Sequence, residues 1–231
     1  MKRKTIPNRL VLGWTLLFLL MAGFNPGQSF AQSESGTSVI TVEKIAVMPF
    51  FKGMFGYRLN ETLNIPISQL SYNLQNMPHG SAKILTELVN RSLQNRYDEK
   101  LIPLSKVKET TAQTGYDGTR DTIQTVALKT GKALGTPLIL AGNIWRFKER
   151  VGSAIGVRSP ASIAFAIYLF DVPAGKMLWM AKFEETQRSL LENLLRIGAF
   201  FERGAKWLTA SELASYGIKE LINKSPLGNT R

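Results

Sequence analysis

The sequence predicts an α/β fold: a single domain on a mixed, mainly parallel-then-antiparallel sheet of about five strands with flanking helices, in the order β-α-β-α-β-β-β-α. Three observations carry this reading. An apolar, β-branched run at Thr41–Phe51 is followed by two stretches of helical spacing, and strands separated by helices pair in parallel. Three strand-like runs then follow without a helix between them, at Pro137–Arg150, Ala161–Asp171 and Lys176–Gln187. The turn Val172-Pro173-Ala174-Gly175 makes the last two an antiparallel hairpin.

Residues 1–31 read as an address rather than as structure. Met1–Arg9 is basic, Leu10–Phe24 is a 15-residue apolar run without charge, and Asn25-Pro26-Gly27 then breaks any helix. Ser29 and Ala31 place small residues before a cleavage site between Ala31 and Gln32, the plan of a secretory signal peptide. A bilayer span wants about 18 or more apolar residues, so cleavage is expected over retention as an anchor. No cysteine stands at the junction, which closes the bacterial lipid-anchor route. Residues 32–40 read as a polar linker, 41–224 as the α/β domain and 225–231 as a flexible tail.

Within the domain, Ser81–Tyr97 places Leu85, Leu88, Val89 and Leu93 at helical spacing. Leu101–Leu104 reads as a short strand. Asp121–Leu134 repeats the helical pattern, with Asp121 as its cap and Gly135 as its close. A last helix is signed by the capping box Thr209/Glu212, by a Leu208–Leu213 staple, and by Pro226 beyond its end. Strand parity in Pro137–Arg150 puts Ile139, Ala141, Asn143, Trp145 and Phe147 on one face. Leu138, Leu140, Gly142 and Ile144 fall on the other, which turns basic at Arg146, Lys148 and Arg150. Gly142 suggests a bulge or a close backbone approach.

Composition excludes several chemistries. The chain of 231 residues has 44% hydrophobic content, no cysteine and one histidine, and its formal charge is +12. The first 31 residues hold four basic residues and no acid, leaving +8 for the rest. Thiol nucleophiles, disulfides, thiolate metal sites and multi-histidine zinc sites are therefore out of reach. Cysteine-free export points to a bacterial periplasm, and the sequons at Asn60, Asn90 and Asn223 read as chance.

Two stretches carry a resemblance. KIAVMPF (Lys44–Phe50) and ALKTGKALGTPLILAGNIWRF (Ala127–Phe147) together resemble the periplasmic α/β domain of the curli-secretion lipoprotein family. Similar domains occur in penicillin-binding-protein activator lipoproteins and at the N-terminus of the Tol-system translocation protein. The resemblance implies a non-enzymatic envelope protein that binds other proteins. This chain departs from the group in having no lipid-anchor cysteine and no obvious transmembrane hairpin.

Candidate chemistry is sparse. Gly131-Lys132 lacks the flanking residues of a phosphate loop, since Val126 and Ala133 occupy those places, so Gly131 is assigned to helix–sheet packing. His79 reads as a loop or cap residue. Glu184 and Glu185 are adjacent on a strand and point to opposite faces, so they form no converging pair. Asp171 reads as a turn residue. No catalytic residue, cofactor or metal is expected.

Binding is the expected activity. Arg146, Lys148, Arg150 and Arg158 surround a glycine-bearing hairpin tip and suit an anionic surface or an acidic partner. The long segment Lys52–Gly80, with Phe55, Tyr57 and Tyr72, is the expected partner-binding insertion. Leu190–Phe201 is the most apolar stretch, expected to pack on the sheet, with a docking helix as the other reading. Export and the lack of a nucleic-acid motif argue against nucleic acid. The expectation is an exported periplasmic accessory in envelope assembly or secretion that binds an envelope protein or anionic envelope surface. Peripheral membrane contact and homo-oligomerisation stay open. The rival classes are an exported carboxylate-dependent hydrolase acting on glycans and a structural subunit of an envelope ring.

Overall fold

In the computed structural model, which describes residues 40–53, 76–117, 120–154, 156–187 and 206–228, the first expected strand is two short ones. β1 (Ile45–Val47) and β2 (Phe51–Lys52) both run parallel to β3 (Leu138–Lys148). Val47 lies opposite Leu140 and Phe51 opposite Asn143, so one extra residue bends the chain between them. Residues 1–31 and 32–39 lie outside the described residues, so the signal peptide, its cleavage at Ala31/Gln32 and most of the linker are not placed.

α1 (Ser81–Tyr97) has the predicted bounds. The predicted strand Leu101–Leu104 is corrected. Leu101 makes only a single parallel bridge to Ile45, and α2 (Leu104–Gln113) begins at once. Pro103 explains this, since it has no N–H for a ladder and sits where the helix starts. α3 (Ile123–Leu134) is capped by Thr122 rather than by Asp121; the Thr122 hydroxyl accepts from Thr125 N at 3.1 Å. Asp121 instead accepts from Asp117 N and pairs with Lys129. Gly135 closes the helix in the left-handed region.

β3 then pairs antiparallel with β6 (Ser162–Asp171), and β6 with β7 (Lys176–Thr186). The sheet order β1-β3-β6-β7, with β2 also on β3, is the mixed five-stranded sheet the sequence predicted. Asp171 takes the expected turn role, accepting from Ala174 N at 2.9 Å. A small ribbon, β4 (Val151–Gly152) with β5 (Val157–Ser159), extends the far end of β3. α4 (Ala210–Lys224) carries the predicted capping box. Its Glu212 carboxyl is held below its ordinary value by the Lys206 ammonium and by the Thr209 N–H. The chain stays docked past α4: Leu227 is fully buried and its carbonyl accepts from Tyr97 Oη at 2.9 Å, so the expected tail does not begin at 225.

Helices cover both faces of the sheet. On one face, Leu85, Val89, Leu213 and Ile218 of α1 and α4 meet Leu140, Ile144, Phe165 and Ile167. On the other, Val107, Ile123 and Val126 of α2 and α3 meet Ile139, Ala141 and Phe170. Burying a side chain of this size stabilises by about 1.5–3 kcal/mol. Gly142 is a close approach, as anticipated: a Cβ there would lie 2.3 Å from the Phe50 ring. Gly131 packs likewise, with Val172 where its Cβ would be.

Candidate functional site

The far end of β3 departs from simple alternation. Ile144 faces Phe165, but Arg146 faces Ala164, so Trp145 is an extra residue. The bulge sits at Trp145, three residues beyond the glycine that suggested one. It overturns the parity reading for the far half of the strand. Phe147 joins Leu140 and Ile144 on the α1/α4 face rather than Trp145 on the α2/α3 face. Arg146 turns to the Trp145 side, in the same row as Ala164 and Glu184.

Polar groups gather on that side. Asn143 is fully buried; its amide donates to the Gly53 carbonyl at 2.9 Å and its Oδ1 accepts from Tyr168 Oη at 3.1 Å. Burial pushes the Tyr168 phenol well above its ordinary value, so it stays a neutral donor. Gly53 N donates to the Ile144 carbonyl at 2.8 Å, so both sides of Gly53 are held by β3. Trp145 Nε1 and Arg146 Nε are buried without a hydrogen-bond partner among the described residues. Asparagine inside an apolar strand was the readable signal for this cluster, and sequence reasoning assigned it only a face.

The four predicted cations divide into two pairs. Arg146 is largely covered; it bonds Glu184 at 2.9 Å, and Glu184 also meets Lys182 at 3.9 Å. Arg150 donates to the Trp207 carbonyl just before α4. Its neighbour Glu149 accepts from Ala210 N at 2.9 Å, placing a carboxylate at the start of that helix. Trp207 N donates to the Ala154 carbonyl, and Gln187 bridges Lys206 O and Leu208 N. These bonds fasten both the start of the ribbon, at Glu149 and Arg150, and the loop joining its strands, at Ala154, to the segment leading into α4 and its first residue. Lys148 and Arg158 are exposed, and neither has an ion-pair partner among the described residues. Val151, on the strand paired with that of Arg158, is 50% exposed. Gly152, at φ 120°, closes the tip; a Cβ there would meet the Gly156 carbonyl at 2.5 Å.

The other predicted binding residues, Phe55, Tyr57 and Tyr72, lie outside the described residues, as does Leu190–Phe201. His79 is an exposed turn residue ahead of α1. The β6–β7 register puts Glu184 and Glu185 on opposite faces. Among the described residues no helix is long and apolar enough to cross a membrane.

No family model and no curated protein matches this chain. Solved structures similar to it include the PelC dodecamer from Paraburkholderia phytofirmans, at 12% identity and TM-score 0.48, over 84% of this chain and 93% of that one. The LpoB C-terminal domain from Salmonella enterica is similar at 14% identity and TM-score 0.38, over 65% and 87%. Lipoprotein GNA1162 from Neisseria meningitidis is similar at 17% identity and TM-score 0.34, over 71% and 96%.

Proposed function

We propose that this chain is an exported, non-catalytic envelope protein that attaches to an anionic envelope component through the β4–β5 ribbon, as an accessory in envelope assembly or secretion. The observation that carries the reading is the division of the four cations. Arg146 and Arg150 are spent on holding the far end of the domain together, while Lys148 and Arg158 are exposed without an ion-pair partner among the described residues, and exposed Val151 lies on the strand paired with that of Arg158. Cations next to an exposed apolar residue on a fastened support suit an interface between water and anionic head groups. Each cation near such a surface contributes roughly 1 kcal/mol, enough for reversible association. The signal-peptide plan of residues 1–31 supports delivery to the envelope.

The test is co-sedimentation of the mature protein with phosphatidylglycerol vesicles and with purified cell wall, from low to high salt. Wild type should bind at low salt and release as salt screens the charges. The variant K148S/R158S should lose binding to whichever of the two surfaces is the target. Equal sedimentation of both proteins at every salt would overturn the reading.

A further inference from the structure

At the opposite end of β3, a separate cleft lies between the approach to β1, the start of α2 and the end of α3. Its volume is about 210 Å³. The floor is apolar: Ile102 and Leu134 are buried and Leu101 is half-buried. The rim carries Lys44, Lys100 and Lys106, all exposed, against the single carboxylate of Glu99.

The lysines of the described surface fall into two sets, those that hold a carboxylate and those that do not. Lys83, Lys129, Lys182, Lys206 and Lys224 each hold a carboxylate. None of the three at the cleft does so among the described residues, although Glu99 is their neighbour. Three cations against one carboxylate around one concavity leave a net repulsion, and an anion between them removes that cost. The local sequence adds to the imbalance. The first turn of α2 has no acidic residue and carries Lys106, the reverse of the charge a helix start favours. A rule broken locally without compensation marks a place where function is expected.

Size narrows the ligand. Pockets that take drug-sized molecules run to roughly 300–1,000 Å³, more than this cleft offers. We infer that the cleft binds a phosphate-bearing head group, its charge met by Lys44, Lys100 and Lys106 and its carbon part resting on Leu101, Ile102 and Leu134. The same chemistry is offered by a free phosphorylated solute and by the head group of an anionic lipid. This site is distinct from the ribbon, and its fate is independent of the ribbon's.

The probe is glycerol 3-phosphate, titrated into isotopically labelled mature protein and followed by amide chemical shifts. The variants are K44S/K100S/K106S and a control of equal charge loss, K52S/K176S/K219S. The expected result is saturable shifts around Lys100–Lys106 in wild type and control, with affinity at least about tenfold weaker in the cleft variant. No saturable shift in wild type, or equal weakening in both variants, would overturn the proposal. Phosphatidylglycerol vesicles in the K148S/R158S background then separate the sources. Residual, reduced vesicle binding there that is lost on adding the cleft changes supports a lipid head group. Solute binding lost without any effect on vesicles supports a free phosphorylated ligand.

Discussion

The two halves of β3 are seven and four residues of one strand, and they do different work. From Leu138 to Ile144 every side chain is buried, alternation is regular, and helices close both faces. From Trp145 to Lys148 a bulge breaks alternation, polar atoms are buried beside apolar ones, and the strand runs out into exposed cations. The near half is fixed by packing that tolerates no charge. The far half is fixed by discrete hydrogen bonds, which hold the ribbon at its base and its loop and leave the Lys148 and Arg158 side chains exposed. A domain that binds through one end needs this asymmetry, since surface cations bind usefully only if their support is already ordered.

The comparison is broken most directly in the near half. Leu140→Asp would bury a carboxylate with no partner, at a cost of about 4 kcal/mol or more, and should abolish the cooperative melt. A native circular-dichroism melt would mean the core is elsewhere. Asn143→Ala should cost about 2–4 kcal/mol, because the Gly53 carbonyl and the Tyr168 hydroxyl lose their buried partner. Denaturant titration reads this, and a change under 1 kcal/mol would show the cluster to be idle.

Two glycines sharpen the contrast. Gly142→Ala drives a methyl into the Phe50 ring and should cost about 1–3 kcal/mol. Gly156→Ala, at the tip, meets only Ser153 Oγ at 3.9 Å and should change stability by less than about 0.5 kcal/mol. Equal effects would erase the distinction between the halves. Smaller still is the acid response of α4. The lowered Glu212 pKa means that its contribution is complete above the ordinary carboxylate range and is lost as pH falls through the lowered value. Glu212→Gln should therefore lower the neutral plateau slightly while leaving stability at the acid end unchanged, which flattens the acid limb of a stability–pH curve.

Much of the fold was legible because local chemistry and packing agree. The Thr209/Glu212 box, Gly135, the Asp171 turn and the bounds of α1 follow from residue types whose conformational reasons are local. The failures share a cause. Leu101–Leu104 is apolar enough for a strand, but Pro103 and the buried pair Val107 and Thr111 make it the threshold of a helix. The Trp145 bulge leaves no mark in Ile-Trp-Arg, because an extra residue is decided by how the neighbouring strand meets it. One such insertion moved Phe147 and Arg146 across the sheet. The site was legible as a set of four cations. Which of them are consumed was not, because their partners Glu184 and Trp207 are distant in sequence.

The central claim is that Lys148 and Arg158 bind while the rest of the far end supports them. The direct measurement is a thermal melt and low-salt binding to phosphatidylglycerol vesicles and cell wall, taken side by side on wild type and K148S/R158S. The account predicts a Tm within about 2 °C of wild type, as a change below roughly 0.5 kcal/mol implies, together with loss of surface binding. Undiminished binding by the variant, or a melt lowered by much more than that, would contradict it.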